Sequence, residues 1–360
     1  MEIGVPKEIK DQEFRVGLTP SSVQALVAQG HQVFVQQGAG IGSSFVDGDY
    51  QRAGATLVKT AEQAWQRELV VKVKEPLCQE FEFLSRPKLL FTYLHLAADR
   101  RLTEALLTAG VTAIAYETVE GDQGQLPLLS PMSRIAGRLA VQMGAHYLEK
   151  QQGGRGVLLG GVPGVAAGQV TILGGGIVGT EAAKMAVGLG ATVSILDINI
   201  ERLNQLEERF GSRVDLRYSS RSNINALLPG TDLLIGAVLV PGKRAPILVS
   251  RDQVETMPKG AVILDVAIDQ GGCVETLHVT SHSQPSYVEA GVVHVGIPNL
   301  PGATPWTATQ ALNNSTLPYV LQLANQGAAA WNQNISLAKG VNVQAGQLIH
   351  PAVKAVFPDL

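Results

Sequence analysis

Residues 169–179 read QVTILGGGIVG: an apolar run, Gln169–Leu173, followed by Gly174, Gly175, Gly176, Ile177, Val178 and Gly179. The spacing G-x-G-x-x-G is weak by itself in a chain with 39 glycines. Its surroundings make it specific. A strand-like run precedes it, the helix-forming TEAAKMAVGL follows, and a second apolar run, TVSIL, ends in Asp197. That spacing is close to the ~20-residue offset that brings an acid to a ribose diol. Gly174 makes the turn, Gly176 lets backbone approach a pyrophosphate, and Gly179 lets the helix lie close on the strand. A carboxylate at Asp197 accepts hydrogen bonds from the diol and repels a 2′-phosphate, so NAD is predicted over NADP. Arg202 nearby weakens that preference slightly.

Apolar runs recur after this turn as TVSILDI, VDLRYS, DLLIGAV, AVILDVA and VVHVGI. With QVTILG these make six strands, the number needed for a full doubly wound nucleotide-binding sheet. Toward the N-terminus lies a long predicted helix, SRIAGRLAVQMGAHYLEK. The first third alternates in the same way. EIGVPKE, HQVFVQQ, LVVKVK, LLFTYLHLA and VTAIAYETV read as strands, with helices between them such as the one capped by Thr19 and Pro20 and stopped at Gly30. Such alternation predicts an α/β fold of two Rossmann-like doubly wound parallel-sheet domains. After Trp306 the pattern turns helical, and this segment is expected to return to the first domain, making it discontinuous. The expected division is 1–130 and 306–360 for a substrate domain and 131–305 for the nucleotide-binding domain.

The 360 residues include 45% hydrophobic and 16% charged side chains, with a formal charge of −3 and a mean hydropathy of +0.13. That suffices for large cores and leaves no basic excess for binding nucleic acid. Cys78 and Cys273 are far apart, so neither a disulfide framework nor a zinc cluster is expected, and a reducing cytoplasm fits. The stretch from Gly156 to Thr180 carries no charge, yet its nine glycines make it a poor membrane helix. The uncharged stretch from Ala290 to Ala338 is broken by prolines and is read as buried or packed on a partner.

Lys74, His95 and Glu117 fall at the C-terminal ends of consecutive strands, where open α/β sheets bind ligands. Arg15 offers a bidentate fork for a small carboxylate, Lys74 a point charge, and His95 a proton carrier near neutrality. Singly, each has a bland explanation as a surface charge, a solvated strand end or a core histidine; together they suggest a site. DVAIDQGG (Asp265 to Gly272) follows the fifth strand of the nucleotide domain, so Asp269 is expected near the nicotinamide end of a bound cofactor, or else serves as a turn carboxylate. No metal site is read, and the other histidines show no ligand spacing.

These residues place the chain near a known family. It resembles the alanine dehydrogenases, on IGVPKEIKDQEFRVGLTP, KVKEP, TYLHLA, LSPMSRIAGRLA, LGGGIVGTEAAKMAVGLGA, LIGAVLVPG, DVAIDQGGC and NLPGATPWTAT, which run from Met1 to beyond Lys339. The resemblance implies reversible NAD-dependent deamination of L-alanine to pyruvate and ammonia, in a cytoplasmic homo-hexamer. It implies Arg15 and Lys74 as carboxylate binders and His95 and Asp269 as the proton-handling pair. It further implies cofactor contacts at Ser133, Ile177, Val178, Asp197, Arg202, Ser219, Val238, Leu239, the turn Val266, Ala267, Ile268 and Asp269, and the turn Ile297, Pro298, Asn299 and Leu300. His278 stands where relatives can carry an arginine near the cofactor. Two other readings remain open at this stage. One is the NAD-binding component of a transhydrogenase. The other is a related amino-acid dehydrogenase with a larger substrate, such as saccharopine.

Overall fold

The computed structural model describes residues 1–238, 245–268 and 271–360. The chain divides into two compact units, Met1–Met132 with Thr304–Leu360, and Ser133–Ala303.

In the first unit, strands β1 (Glu2–Val5), β2 (Gln32–Gln36), β3 (Thr56–Val58), β4 (Leu69–Val71), β5 (Leu89–Thr92) and β6 (Thr112–Ala115) all pair in parallel. Their spatial order is 3-2-1-4-5-6. β4, β5 and the last three residues of β6 are buried along their length, as expected where both faces of a parallel sheet are covered. The first connection begins as its sequence requires: Thr19 accepts the Ser22 N–H through its hydroxyl, Pro20 takes the first helical position, and Gly30 (φ 84°) turns the chain out.

The second unit repeats this order. Its strands are β7 (Gln169–Leu173), β8 (Thr192–Asp197), β9 (Val214–Tyr218), β10 (Leu233–Gly236), β11 (Val262–Asp265), β12 (Ser286–Glu289) and β13 (Val292–Val295). They run β9-β8-β7-β10-β11-β13, parallel throughout, with β12 added antiparallel at the edge. Alternate residues feed two cores. Val170, Ile172, Val193, Ile195, Leu233 and Ile235 pack on one face. Leu173, Leu196, Leu234 and Ile263 pack on the other. The long helix runs from Ser130 to Tyr147, three residues earlier than its sequence pattern suggests.

The tail then joins the first unit. Helix Pro305–Gln326 carries Pro318 inside it without ending, so that proline does not break the segment as its sequence suggests. Next, β14 (Val341–Gln344) pairs antiparallel with β6, and β15 (Gln347–Leu348) pairs antiparallel with β14. Among the described residues no helix is long and apolar enough to cross a membrane.

Candidate active site

In a sheet of order 3-2-1-4-5-6 the connections leave in opposite directions between the first and fourth strands, which opens a crevice at the C-terminal edge. In the first unit that edge collects the segments after β1, β4, β5 and β6. The chemistry-bearing residues sit slightly past the strands rather than on their last residues. Lys74 and His95 each follow their strand end by three residues, and Glu117 follows by two in a short 3-10 turn, Tyr116–Thr118.

His95 is held in an unusual way. Its backbone is left-handed (φ 50°, ψ 38°), a conformation that strains a non-glycine residue. The Glu117 carboxylate fixes this turn: the His95 N–H donates to Oε1 at 2.6 Å, and the Leu94 N–H is shared between both oxygens at 3.2 Å. The imidazole Nδ1 lies 3.9 Å from the same Oε1. The ring is parallel to that of Tyr93, with centroids 5.9 Å apart. Tyr93 is itself fixed by donating its hydroxyl to Leu128 O at 2.6 Å. His95 is about half exposed, so its ring can reach a ligand.

Arg15 is 2% exposed. Its Nε donates to Glu13 Oε1 at 2.7 Å and its Nη2 to Oε2 at 2.6 Å, so the guanidinium fork predicted to grip a substrate already grips a carboxylate of the protein. Burial works against the charge on Arg15, but the Glu13 bonds outweigh it and its pKa is raised. Lys74 is half-buried. Burial holds its pKa below the ordinary lysine value, with Arg15 and Lys10 adding to that against Glu75 and Glu13. Lys10 forms an ion pair with Glu75. Beneath this loop lies a buried triad that sequence reasoning missed. Lys72 Nζ bonds Glu80 at 2.9 Å and Glu8 at 3.1 Å. Glu8 also accepts the Val73 N–H at 2.7 Å, one residue before Lys74. Breaking such a pair leaves an uncompensated buried charge and typically costs about 3–5 kcal/mol.

The second unit builds a dinucleotide cradle. Gly174 has φ 99°, and a Cβ there would lie 2.6 Å from Ala237 O. At Gly179 a Cβ would meet Gly174 O at 1.9 Å. Gly176 instead N-caps helix Ile177–Gly188 and faces open space, leaving room for a phosphate over the helix N-terminus. Asp197 ends β8; its Oδ2 accepts the Gly175 N–H at 2.7 Å and its Oδ1 the Asn199 N–H at 2.8 Å. Each oxygen keeps a further lone pair for a ribose hydroxyl. Arg202 lies over the same turn, Nε donating to Gly175 O and Nη2 to Thr180 Oγ1, each at 2.7 Å. Burial, then Arg209, lowers its pKa. These residues fit a dinucleotide.

The other sequence-derived contacts follow the strand ends of this sheet. Ser219 follows β9 and donates its N–H to Asp197 O at 2.9 Å. Val238 follows β10; Val266, Ala267 and Ile268 follow β11; Ile297, Pro298, Asn299 and Leu300 follow β13, with Asn299 left-handed at φ 57°. Ser133 lies in the long helix, half-buried. Leu239 and Asp269 lie outside the described residues. His278, the site of the expected departure, stacks on Tyr287 with ring centroids 3.8 Å apart. Among the described residues no group of His, Cys, Asp and Glu is arranged to hold a metal ion.

A glycine turn at the switch point of a 3-2-1-4-5-6 sheet, with an acid ending the neighbouring strand, defines a doubly wound nucleotide-binding α/β protein, here joined to a second sheet of the same order. The chain belongs to the alanine dehydrogenase/PNT family: residues 4–136 match its N-terminal domain and residues 140–351 its C-terminal domain. It is 54% identical over 355 residues to an alanine dehydrogenase of Bacillus subtilis (strain 168), covering 98% of this chain and 94% of the relative. A solved L-alanine dehydrogenase superposes with a TM-score of 0.98 at 67% identity, covering 100% of this chain and 99% of that one. A transhydrogenase from Sinorhizobium meliloti superposes at 0.83 with 25% identity, covering 98% and 100%. Family membership implies a nicotinamide cofactor.

Proposed function

We propose that this protein catalyses the reversible NAD-dependent oxidative deamination of L-alanine to pyruvate and ammonia, as a homo-hexamer in the cytoplasm. The observation that carries the reading is the clustering of Arg15, Lys74 and His95 at one sheet edge, in a chain whose relatives at 54% and 67% identity are named alanine dehydrogenases. The transhydrogenase likeness, at 25% identity, supports that alternative less, and hydride exchange between nucleotides needs no carboxylate clamp.

Lys74 is assigned to hold the alanine carboxylate, with Arg15 as the second carboxylate binder, its guanidinium fixed in place by Glu13 and by Met132 Sδ at 3.2 Å. Orientation of Cα is the main gain from this clamp. When bound, NAD supplies the acceptor for the hydride that leaves Cα with its electron pair. The neutral amine nitrogen donates its lone pair to form the iminium. His95 takes a proton from the water that adds to this carbon, and later returns one to the departing nitrogen. Collapse of the carbinolamine then breaks C–N, releases ammonia and forms the pyruvate carbonyl as the hydroxyl proton passes to the now-neutral His95. Asp269 is assigned to stabilise the iminium and share proton handling with His95. Gly174, Gly176, Gly179, Ile177 and Val178 hold the pyrophosphate, and Asp197 the adenosine ribose. Arg202, Ser133, Ser219, Val238, Leu239 and the turns at 266–269 and 297–300 complete the contacts.

The test is absorbance at 340 nm with purified protein, NAD and L-alanine at alkaline pH. NADH is expected with L-alanine and not with D-alanine or NADP. Absence of signal from protein that binds NADH would move the reading to another substrate or to hydride exchange between nucleotides.

A further inference from the structure

β11 ends in Asp265, a carboxylate with no solvent exposure. Among the described residues no cation pairs with it. Instead Oδ1 accepts the Ala267 N–H at 2.8 Å, Oδ2 accepts the Cys273 N–H at 2.6 Å, and the Cys273 thiol bonds the same carboxylate. Gly236 of β10 lies opposite in register, and a Cβ there would stand 2.4 Å from the carboxylate carbon. Only glycine leaves room. Gly236 O accepts the Val266 N–H at 2.9 Å, so the turn starts fixed to β10. Its far end is fixed too, because Cys273 O accepts from Leu248 N at 2.8 Å and Val249 N at 3.2 Å.

Taking a carboxylate out of water without a cation is unfavourable unless hydrogen bonds replace the lost water. Burial accordingly raises the Asp265 pKa, the two N–H bonds opposing it. An apolar side chain would avoid that cost but leave the buried Ala267 and Cys273 N–H groups without an acceptor, so the carboxylate serves to organise them. It ties Ala267, in the segment that leaves β11, to Cys273.

We infer that Asp265 is a positioning residue for the cofactor, holding the Ala267 and Cys273 N–H groups on one carboxylate so that Val266–Ile268 is preformed to receive the dinucleotide. The inference rests on the reading that this turn contacts NAD. An asparagine cannot substitute, since its Nδ2 hydrogens would face backbone N–H donors.

The test compares the intact wild-type protein with Asp265→Asn, by titrating NADH fluorescence and by measuring KM for NAD against melting temperature. The folded variant is expected to bind NADH at least tenfold more weakly, with KM for NAD raised in parallel. A merely structural role would lower the melting temperature and leave NADH affinity unchanged; folded variant protein with affinity within twofold of wild type overturns the inference. Hydrogen exchange of the wild-type protein decides the matter if the variant does not fold. The Ala267 and Cys273 amides are expected to be protected before NADH is added, and the Ile268 amide to gain protection on binding. Exchange of those two amides at open-loop rates overturns it. Wild-type protein that binds no NADH overturns the functional reading and this inference together, whereas wild-type binding with unchanged variant binding overturns this inference alone.

Discussion

Glu117 accepts the His95 N–H at 2.6 Å while its same oxygen lies 3.9 Å from His95 Nδ1. One carboxylate thus holds the backbone in its left-handed turn and stands ready beside the ring when the imidazole takes a proton. Left-handed backbone at a non-glycine residue costs about 1–3 kcal/mol, comparable to what the bonds to a charged acceptor return. Glu117→Ala is expected to release the turn and misplace the base, lowering kcat by about 10²-fold, with Glu117→Gln intermediate because its amide oxygen can still accept. Steady-state kinetics check this; a kcat within twofold of wild type in Glu117→Ala would remove Glu117 from the positioning of His95.

His95→Ala removes the group proposed as the base. Turnover is expected to fall by a factor of ~10² to 10⁴, while NADH affinity, measured by fluorescence titration, stays at the wild-type value. Unchanged turnover would take His95 out of the chemistry.

Lys74 sets a pH dependence. Burial, reinforced by Arg15 and Lys10, holds its pKa below the usual lysine value of about 10.4. Only its protonated form attracts a carboxylate, so KM is expected to be flat at lower pH and to rise once pH passes the lowered pKa. Pyruvate in the reverse direction, with free ammonia kept saturating at every pH, is the probe, since pyruvate has no amine to titrate. Lys74→Met should show a high KM that no longer rises over this range. The stability sign is opposite: the native state sheds this proton before the unfolded chain does, so stability from this group rises with pH between the folded and unfolded values.

The glycines separate folding from binding. Gly179→Ala puts a methyl 1.9 Å from Gly174 O and should destabilise the protein as well as abolish NADH binding. Gly176→Ala meets open space, so the melting temperature should hold while NADH affinity falls at least tenfold, about 1.4 kcal/mol. Equal loss of stability in both variants would contradict the assignment of Gly176 to phosphate approach.

Much of this arrangement is legible in the residues because parallel strands buried on both faces read as continuous apolar runs, as LVV of β4 and VILD of β11 do. The edges are not. β12, SYVE, is half polar and gains its place only by pairing with β13. The β14–β15 hairpin turns through Ala345 (φ 48°) and Gly346 (φ 72°), and alanine is a poor signal for a turn that needs positive φ at both places. Lys74, His95 and Glu117 are found by strand-end reasoning, because topology alone brings such ends together. Glu13, Lys72 and Asp265 are not, since a buried charge in a sequence looks the same as a solvated one until its partner across the fold is known. Arg15 shows the limit most plainly: its fork suits a substrate carboxylate, and Glu13, two residues away, occupies it.

The proposed function turns on hydride passing from Cα of alanine to the nicotinamide of NAD. Incubation with L-[2-²H]alanine and NAD, followed by mass spectrometry of the reduced nucleotide, tests it directly. NADH one mass unit heavier is the expected product, and NADP supplied in place of NAD should stay oxidised. Reduced nucleotide without deuterium, or none at all from protein that binds NADH, would contradict it.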